Sequence, residues 1–215
     1  MTAAVVAPHD RFSDADTRGP LAPRIDQLPE DEQRGTLAMK LVIVTEALLF
    51  VCLFFSYFYV GHRHPRWPSH PPELPLALVL LGLLLASSVV LHVGERQLQR
   101  GAAGRARLAL VGTIGLGLAF AVVQVMEYRH HLRTLQPRSD AYGSLFYVIT
   151  TFHALHVAAG LLMLLFVACL PTLRPPRSPR RPLHNVALYW HFVDVVWIVV
   201  VALLYVLPWW KARHG

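Results

Sequence analysis

Five stretches of this chain run for twenty or more residues with almost no charge: Ala38–Val60, Leu74–Val93, Leu108–Tyr128, Tyr142–Leu170 and Val186–Pro208. An α-helix needs roughly 20 apolar residues to cross the ~30 Å hydrocarbon layer of a bilayer. Within that layer each backbone polar group must find its partner inside the protein, so segments of this length are predicted to be helices. The expected fold is all-α: a polytopic membrane protein built as a five-transmembrane-helix bundle. Composition agrees, since only 15% of the residues are charged, against about a quarter in a soluble domain.

The net charge of +7 does not point to nucleic acid, because the Lys and Arg residues sit between the spans and not on one helix face. Their distribution speaks to orientation instead. The region up to Lys40 and the loops after spans two and four together hold thirteen of them, and the opposite side holds seven. The positive-inside rule then predicts a cytoplasmic N-terminus and a C-terminus on the outer face. Residues 1–35 combine acidic residues with no long apolar core, so they are expected to be a disordered cytoplasmic arm and not a signal or transit peptide. Residues 36–210 form the membrane domain, and 211–215 are a tail. Proline-rich loops before spans two and five (Pro68, Pro71, Pro72; Pro175, Pro176, Pro179) stop the helices, and neighbouring spans are expected to pack up and down. Cys52 and Cys169 lie inside spans and read as packing residues.

Polar groups inside spans are expensive in hydrocarbon and therefore mark candidate function. Glu46 lies six residues beyond Lys40 in span one, flanked by Val44, Ala47, Leu48 and Leu49. It reads as a buried carboxyl, either proton-linked or an interhelical hydrogen-bond partner. His153 and His156 in span four, and His191 and Asp194 in span five, are each spaced i, i+3 and so share a helix face. Together they suggest a polar seam between spans four and five. Facing histidines can hold haem or a metal, but no carboxylate accompanies His153 and His156 at ligand spacing, so no metal is assigned. Gln124 and Glu127 fall near the outer end of span three and are counted with that intramembrane polar seam, the plainer reading being a helix end whose polar groups snorkel to the interface. Small residues suited to close helix contact recur in span two (Ala86, Ser87, Ser88), span three (Gly112, Gly115, Gly117) and span four (Ala154, Ala158, Ala159, Gly160).

The wording of these segments resembles subunit III of cytochrome c oxidase and its quinol-oxidase relatives. The run Tyr189-Trp190-His191-Phe192-Val193-Asp194-Val195-Val196-Trp197 is similar to that family's signature without a change. Tyr142-Gly143-Ser144 followed by Thr151-Phe152-His153-Ala154-Leu155-His156-Val157 resembles its fourth-span motif, with Thr151 and Ala154 replacing two glycines. Gln124 with Glu127-Tyr128, and Thr45-Glu46 followed by Phe54-Phe55, complete the match in the same order. The resemblance implies the short, five-helix bacterial form, lacking the two N-terminal spans of seven-span members. It implies a non-redox accessory subunit III of a haem–copper terminal oxidase, supporting proton uptake and the stability of the catalytic subunit. No cofactor is then bound by this chain; haem and copper belong to catalytic subunit I, its partner beside other oxidase subunits. Phospholipid is expected against the helices, and the location is the bacterial inner membrane. Glu46 matches the family's carbodiimide-reactive carboxyl. Two alternatives stay open: the related subunit accompanying nitric oxide reductase, and a stand-alone membrane metalloenzyme using His153, His156 and His191.

Overall fold

The computed structural model describes residues 28–64, 67, 74–131, 141–169 and 180–214. They form α1 (Leu28–Arg63), α2 (Leu74–Gln99), α3 (Ala103–His131), α4 (Ala141–Cys169), α5 (Arg180–Val201) and α6 (Leu207–His214), with one wide helical turn, Ala202–Val206, joining α5 to α6. Five segments are long and apolar enough to cross a membrane: residues 34–63, 74–99, 103–129, 141–169 and 182–210. The five-span expectation therefore holds, and no strand occurs among the described residues. The helices outrun most of the predicted spans because helical hydrogen bonding continues past the apolar stretch into the interfacial zone. α1 begins at Leu28, so residues 28–35, expected to be part of a disordered arm, are helical. The remainder of that arm lies outside the described residues.

The most extensive pairing is between α2 and α3, and its turn explains why. Gly101 has φ +78°, the left-handed conformation that glycine adopts without penalty. Its N–H bonds to the Leu98 carbonyl at 3.0 Å and the Ala102 N–H bonds to the Gln97 carbonyl at 2.9 Å. These two bonds make a Schellman cap, which satisfies orphan carbonyls at the end of α2 and reverses the chain at once. A few residues earlier, a Cβ on Gly94 would stand 2.9 Å from the Ala109 Cβ, so the two helix backbones touch only because glycine is there.

α5 packs on α1, α2 and α4 and reaches α3 through its tryptophans. The up-and-down expectation holds for α2–α3, α3–α4 and α4–α5, whereas α1 packs chiefly on α5 and α4. Trp190 is fully buried. Its indole lies in a slot where a Cβ on Gly160 would come within 2.8 Å and one on Gly117 within 2.9 Å. Its Nε1 donates to the Ser87 Oγ at 2.9 Å, and that hydroxyl donates to the Leu84 carbonyl at 2.7 Å. Four helices thus meet on one side chain, with its polar atom satisfied as burial requires.

The wide turn before α6 has a local cause. Pro208 has no N–H to donate, and its ring would collide with the carbonyl four residues back in a regular helix. The chain loosens by one residue instead, and the Leu207 N–H bonds to the Ala202 carbonyl. The resulting bulge turns Tyr205 inward, where it is fully buried. Cys52 and Cys169 are exposed on the outside of the bundle; the packing role expected of them is corrected.

Candidate functional site

The polar residues predicted inside the spans do not line up as one seam between α4 and α5. They resolve into three nodes, each joining a different pair of elements, and one histidine that joins none of them.

The first node joins α1 to α4. The His156 Nε2 lies 3.0 Å from the Glu46 Oε2, and its Nδ1 lies 2.6 Å from the Phe152 carbonyl. A carbonyl only accepts, so Nδ1 carries a hydrogen. A hydrogen bond between Nε2 and the carboxyl group requires one further proton between them. The pair is either imidazolium and carboxylate or neutral imidazole and carboxylic acid, and it is net neutral in both forms. That neutrality is how a carboxyl tolerates this depth in the membrane. The carboxylate partner judged missing for His156 is Glu46 itself, 110 residues away in sequence. Phe50, Tyr189 and Phe192 surround the imidazole, with ring centroids 5.0, 6.5 and 6.5 Å away. Glu46 is less buried than predicted. About a third of its side chain, 34%, faces out of the bundle, against 11% for His156.

The second node joins α2 to α5. The Ser88 hydroxyl donates to the Asp194 Oδ2 and lies 2.8 Å from the His191 Nδ1. Because the serine's single hydrogen is committed to Asp194, the His191 Nδ1 must be the donor to Ser88. This chain of bonds fixes the tautomer of His191 and leaves Nε2 as the nitrogen with a free lone pair. Ser88 was legible only as a small residue; its bonding role was not read from the sequence.

The third node joins α3 to the wide turn after α5. Glu127 accepts from the Gln124 Nε2 and from the Tyr205 hydroxyl, each at 3.1 Å. Both Gln124 and Glu127 are buried, which corrects their expected place as snorkelling groups at an interface. The signal that placed them too far out was their nearness to Tyr128 and Arg129. The residue that draws them in, Tyr205, lies in the fifth span and offered no motif.

His153 stands apart. It is buried, stacked on Trp197 with ring centroids 4.7 Å apart and met edge-on by Phe120 at 5.9 Å. Neither ring nitrogen has a hydrogen-bond partner among the described residues. An aromatic sandwich without a second polar ligand offers no coordination set, so the metalloenzyme trio of His153, His156 and His191 is not brought together.

The second node and the tryptophan slot draw on the nine-residue motif of α5, whose Tyr189 and Phe192 also flank the imidazole of the first node, and the third node reaches just beyond the motif to Tyr205. A sequence profile for cytochrome c oxidase subunit III matches residues 32–212, 181 of the 215 residues. The chain is 32% identical over 191 residues to cytochrome c oxidase subunit 3 of Thermostichus vulcanus, covering 85% of this chain and 92% of the relative. It is 37% identical over 174 residues to the cytochrome c oxidase subunit 3 of a Synechocystis species, covering 78% and 73%. It is also 33% identical over 171 residues to the cytochrome bo(3) ubiquinol oxidase subunit 3 of Pseudomonas aeruginosa, covering 78% and 82%. Helices, motif order and sequence agree over the whole membrane domain: the chain belongs to the cytochrome c oxidase subunit III family.

Proposed function

We propose that this chain is the non-redox accessory subunit of a haem–copper terminal oxidase, seated in the bacterial plasma membrane beside the catalytic subunit. Its relatives carry the names of both cytochrome c and ubiquinol oxidases at similar identity, which supports a contribution that does not involve the electron donor. Haem and copper belong to the partner. This chain supplies a scaffold, a surface and a proton-sharing pair.

The observation that carries the reading is the Glu46–His156 pair, which joins α1 to α4 and leaves part of the carboxyl exposed. A pair that stays net neutral while its proton moves between carboxyl and imidazole can hold a proton inside hydrocarbon without an uncompensated charge. A third of the Glu46 side chain is exposed, and the opposite face of α1 carries the exposed apolar residues Leu48, Val51 and Phe55. Such a face calls for lipid or a partner helix. These features support a role for the pair in proton uptake beside the catalytic subunit and in responding to phospholipid. The charge asymmetry of the loops supports a cytoplasmic N-terminus.

Purification in mild detergent followed by an optical spectrum and metal analysis tests the assignment. The expected result is co-purification with a subunit bearing haem and copper, while the isolated chain stays colourless. A core without copper that reduces nitric oxide would move the chain to the related reductase-associated branch, and haem at stoichiometric level in the isolated chain would overturn the assignment. In the assembled complex, Glu46→Gln is expected to lower proton coupling or sustained turnover while assembly is retained.

A further inference from the structure

A second group of ionisable side chains lies at the opposite end of the α2–α5 contact from the wide turn and takes no part in the role above. His92 and Glu95 share a face of α2 at i, i+3, and His184 and His191 share a face of α5 two turns apart. One ligand atom from each of His92, Glu95 and His191 lies within 4.8 Å of the other two. We propose that His92, Glu95 and His191 form a binding site for a divalent transition-metal ion of the zinc class, bridging α2 to α5.

Three independent features favour coordination over a chance gathering of polar groups. The donor set is two imidazoles and one carboxylate, a set that zinc takes with nitrogen and oxygen at ~2.0–2.2 Å, leaving a fourth position for water. The set lacks the ring of oxygens that calcium or magnesium demands. Next, the nitrogens and oxygens are prepared from behind. The His191 Nδ1 donates to Ser88, which donates to Asp194, so the Nε2 lone pair is available and the imidazole is braced by a carboxylate through one hydroxyl. On the other side, the His184 Nδ1 lies 3.2 Å from the Glu95 Oε1, which orients that carboxylate and leaves its Oε2 toward His92, 3.9 Å away. Metal-binding groups are held in this way by outer hydrogen bonds, and removing such a bond weakens binding ~10–100-fold. Last, exposure is graded: Glu95 is largely buried at 13% while His92 is half-exposed at 52%. The site has a fixed wall and an open side. Tetrahedral coordination at zinc bond lengths places ligand atoms roughly 3.4 Å apart, so a group now within 4.8 Å must close by up to ~1.4 Å, and the half-exposed His92 is the side chain free to do so. The reading departs from the expectation that this chain holds no metal; it concerns a structural or regulatory ion and no redox centre.

The test uses the full chain without a polyhistidine tag, in mild detergent, competing for Zn²⁺ with a chromophoric chelator. Folding of each variant is checked by helical circular dichroism and by elution as a single species. The wild-type chain is expected to hold one more zinc ion than either His92→Gln or Glu95→Gln, each of which should weaken that site at least tenfold. His184→Gln should weaken it about tenfold by freeing the carboxylate. His62→Gln, at the far end of the bundle, should change nothing. Replacing zinc by Co²⁺ should give visible absorption from low-coordinate cobalt in the wild type and not in His92→Gln. The proposal is overturned if the folded chain takes up no zinc at micromolar free ion, or if His92→Gln and Glu95→Gln bind it as the wild type does.

Discussion

The first and last spans of this bundle have equal mean hydropathy but opposite positions in it. Half of the α5 span, 50%, is buried inside the chain, and only 6% of the α1 span is. Their side chains explain the difference. α5 carries Tyr189, Trp190 and Trp197; α2, α3 and α4 offer Ser87, Gly117 and Gly160 where the Trp190 ring arrives, and Trp197 packs on Phe120 and His153. α1 carries Leu41, Val44, Leu48, Val51 and Phe55 outward, where all five are exposed. Lipid tails are as apolar as leucine, so hydrophobicity alone draws no helix inward; close packing against small residues and buried hydrogen bonds do. The core helix is therefore the one whose large rings have slots waiting, and the peripheral helix is the one left to meet lipid or a partner.

This comparison can be broken most severely at Trp190. Trp190→Ala empties the slot between Gly117 and Gly160 and is expected to destabilise the chain by ~3–5 kcal/mol, measured by circular dichroism during titration from mild detergent into dodecyl sulfate. Phe55→Ala on α1, where 69% of the side chain is exposed, should change the same midpoint by under ~0.5 kcal/mol. Equal losses at the two positions would mean that α5 is not the core. A finer version uses one methyl group. Gly160→Ala puts a Cβ 2.8 Å from Trp190 Cε3 and should destabilise by ~1–3 kcal/mol through overpacking. At Gly115 a Cβ meets nothing within 4 Å, so Gly115→Ala should be neutral or stabilising by up to ~1 kcal/mol through helix propensity.

These contrasts mark how far the sequence could be read. Span number and approximate placement were legible because span length and charge exclusion are local properties. The α5 motif was legible as a family likeness, and the small residues of α2, α3 and α4 were legible as sites of close approach. What joined them was not. Nothing local to Ser88 says that it faces His191 and Asp194, more than a hundred residues away. Nothing local to Glu127 says that Pro208 loosens the last span and turns Tyr205 toward it. The same blindness made Glu46 look buried: its neighbours are apolar, but they face outward, and periodicity on an evenly apolar helix does not reveal which side is covered. Cys52, on that same helix, was misplaced for the same reason.

The α2–α5 node tests whether polar bonds add to the hold of the core helix. Ser88→Ala removes the hydroxyl that Asp194 and His191 share and leaves a buried carboxyl without it, so a loss of ~1–2 kcal/mol is expected in the same titration. Asp194→Asn, which keeps the shape and can still accept from Ser88, should lose much less. Equal losses in the two variants would show that the charge on Asp194 matters more than the hydroxyl bridge.

Only a small stability effect is expected at Glu46, and there the two spans separate most clearly by function. Its partner, His156, keeps its bond to the Phe152 carbonyl whatever stands at position 46, and the carboxyl is already open on one side. A glutamine can donate to the neutral imidazole in place of the carboxylic acid, so Glu46→Gln should shift the unfolding midpoint by no more than ~0.6 kcal/mol, the average for an interhelical hydrogen bond in a membrane. What glutamine cannot do is pass a proton to or from His156. If the exposed side of α1 serves the assembled oxidase, Glu46→Gln should leave subunit retention near wild type and lower proton coupling or the number of turnovers before inactivation. Glu46→Ala should do the same and also loosen α1 from α4. A Glu46→Gln complex that couples and survives as the wild type does would reduce the pair to a helix-bonding contact, leaving α1 a peripheral helix with a surface role alone.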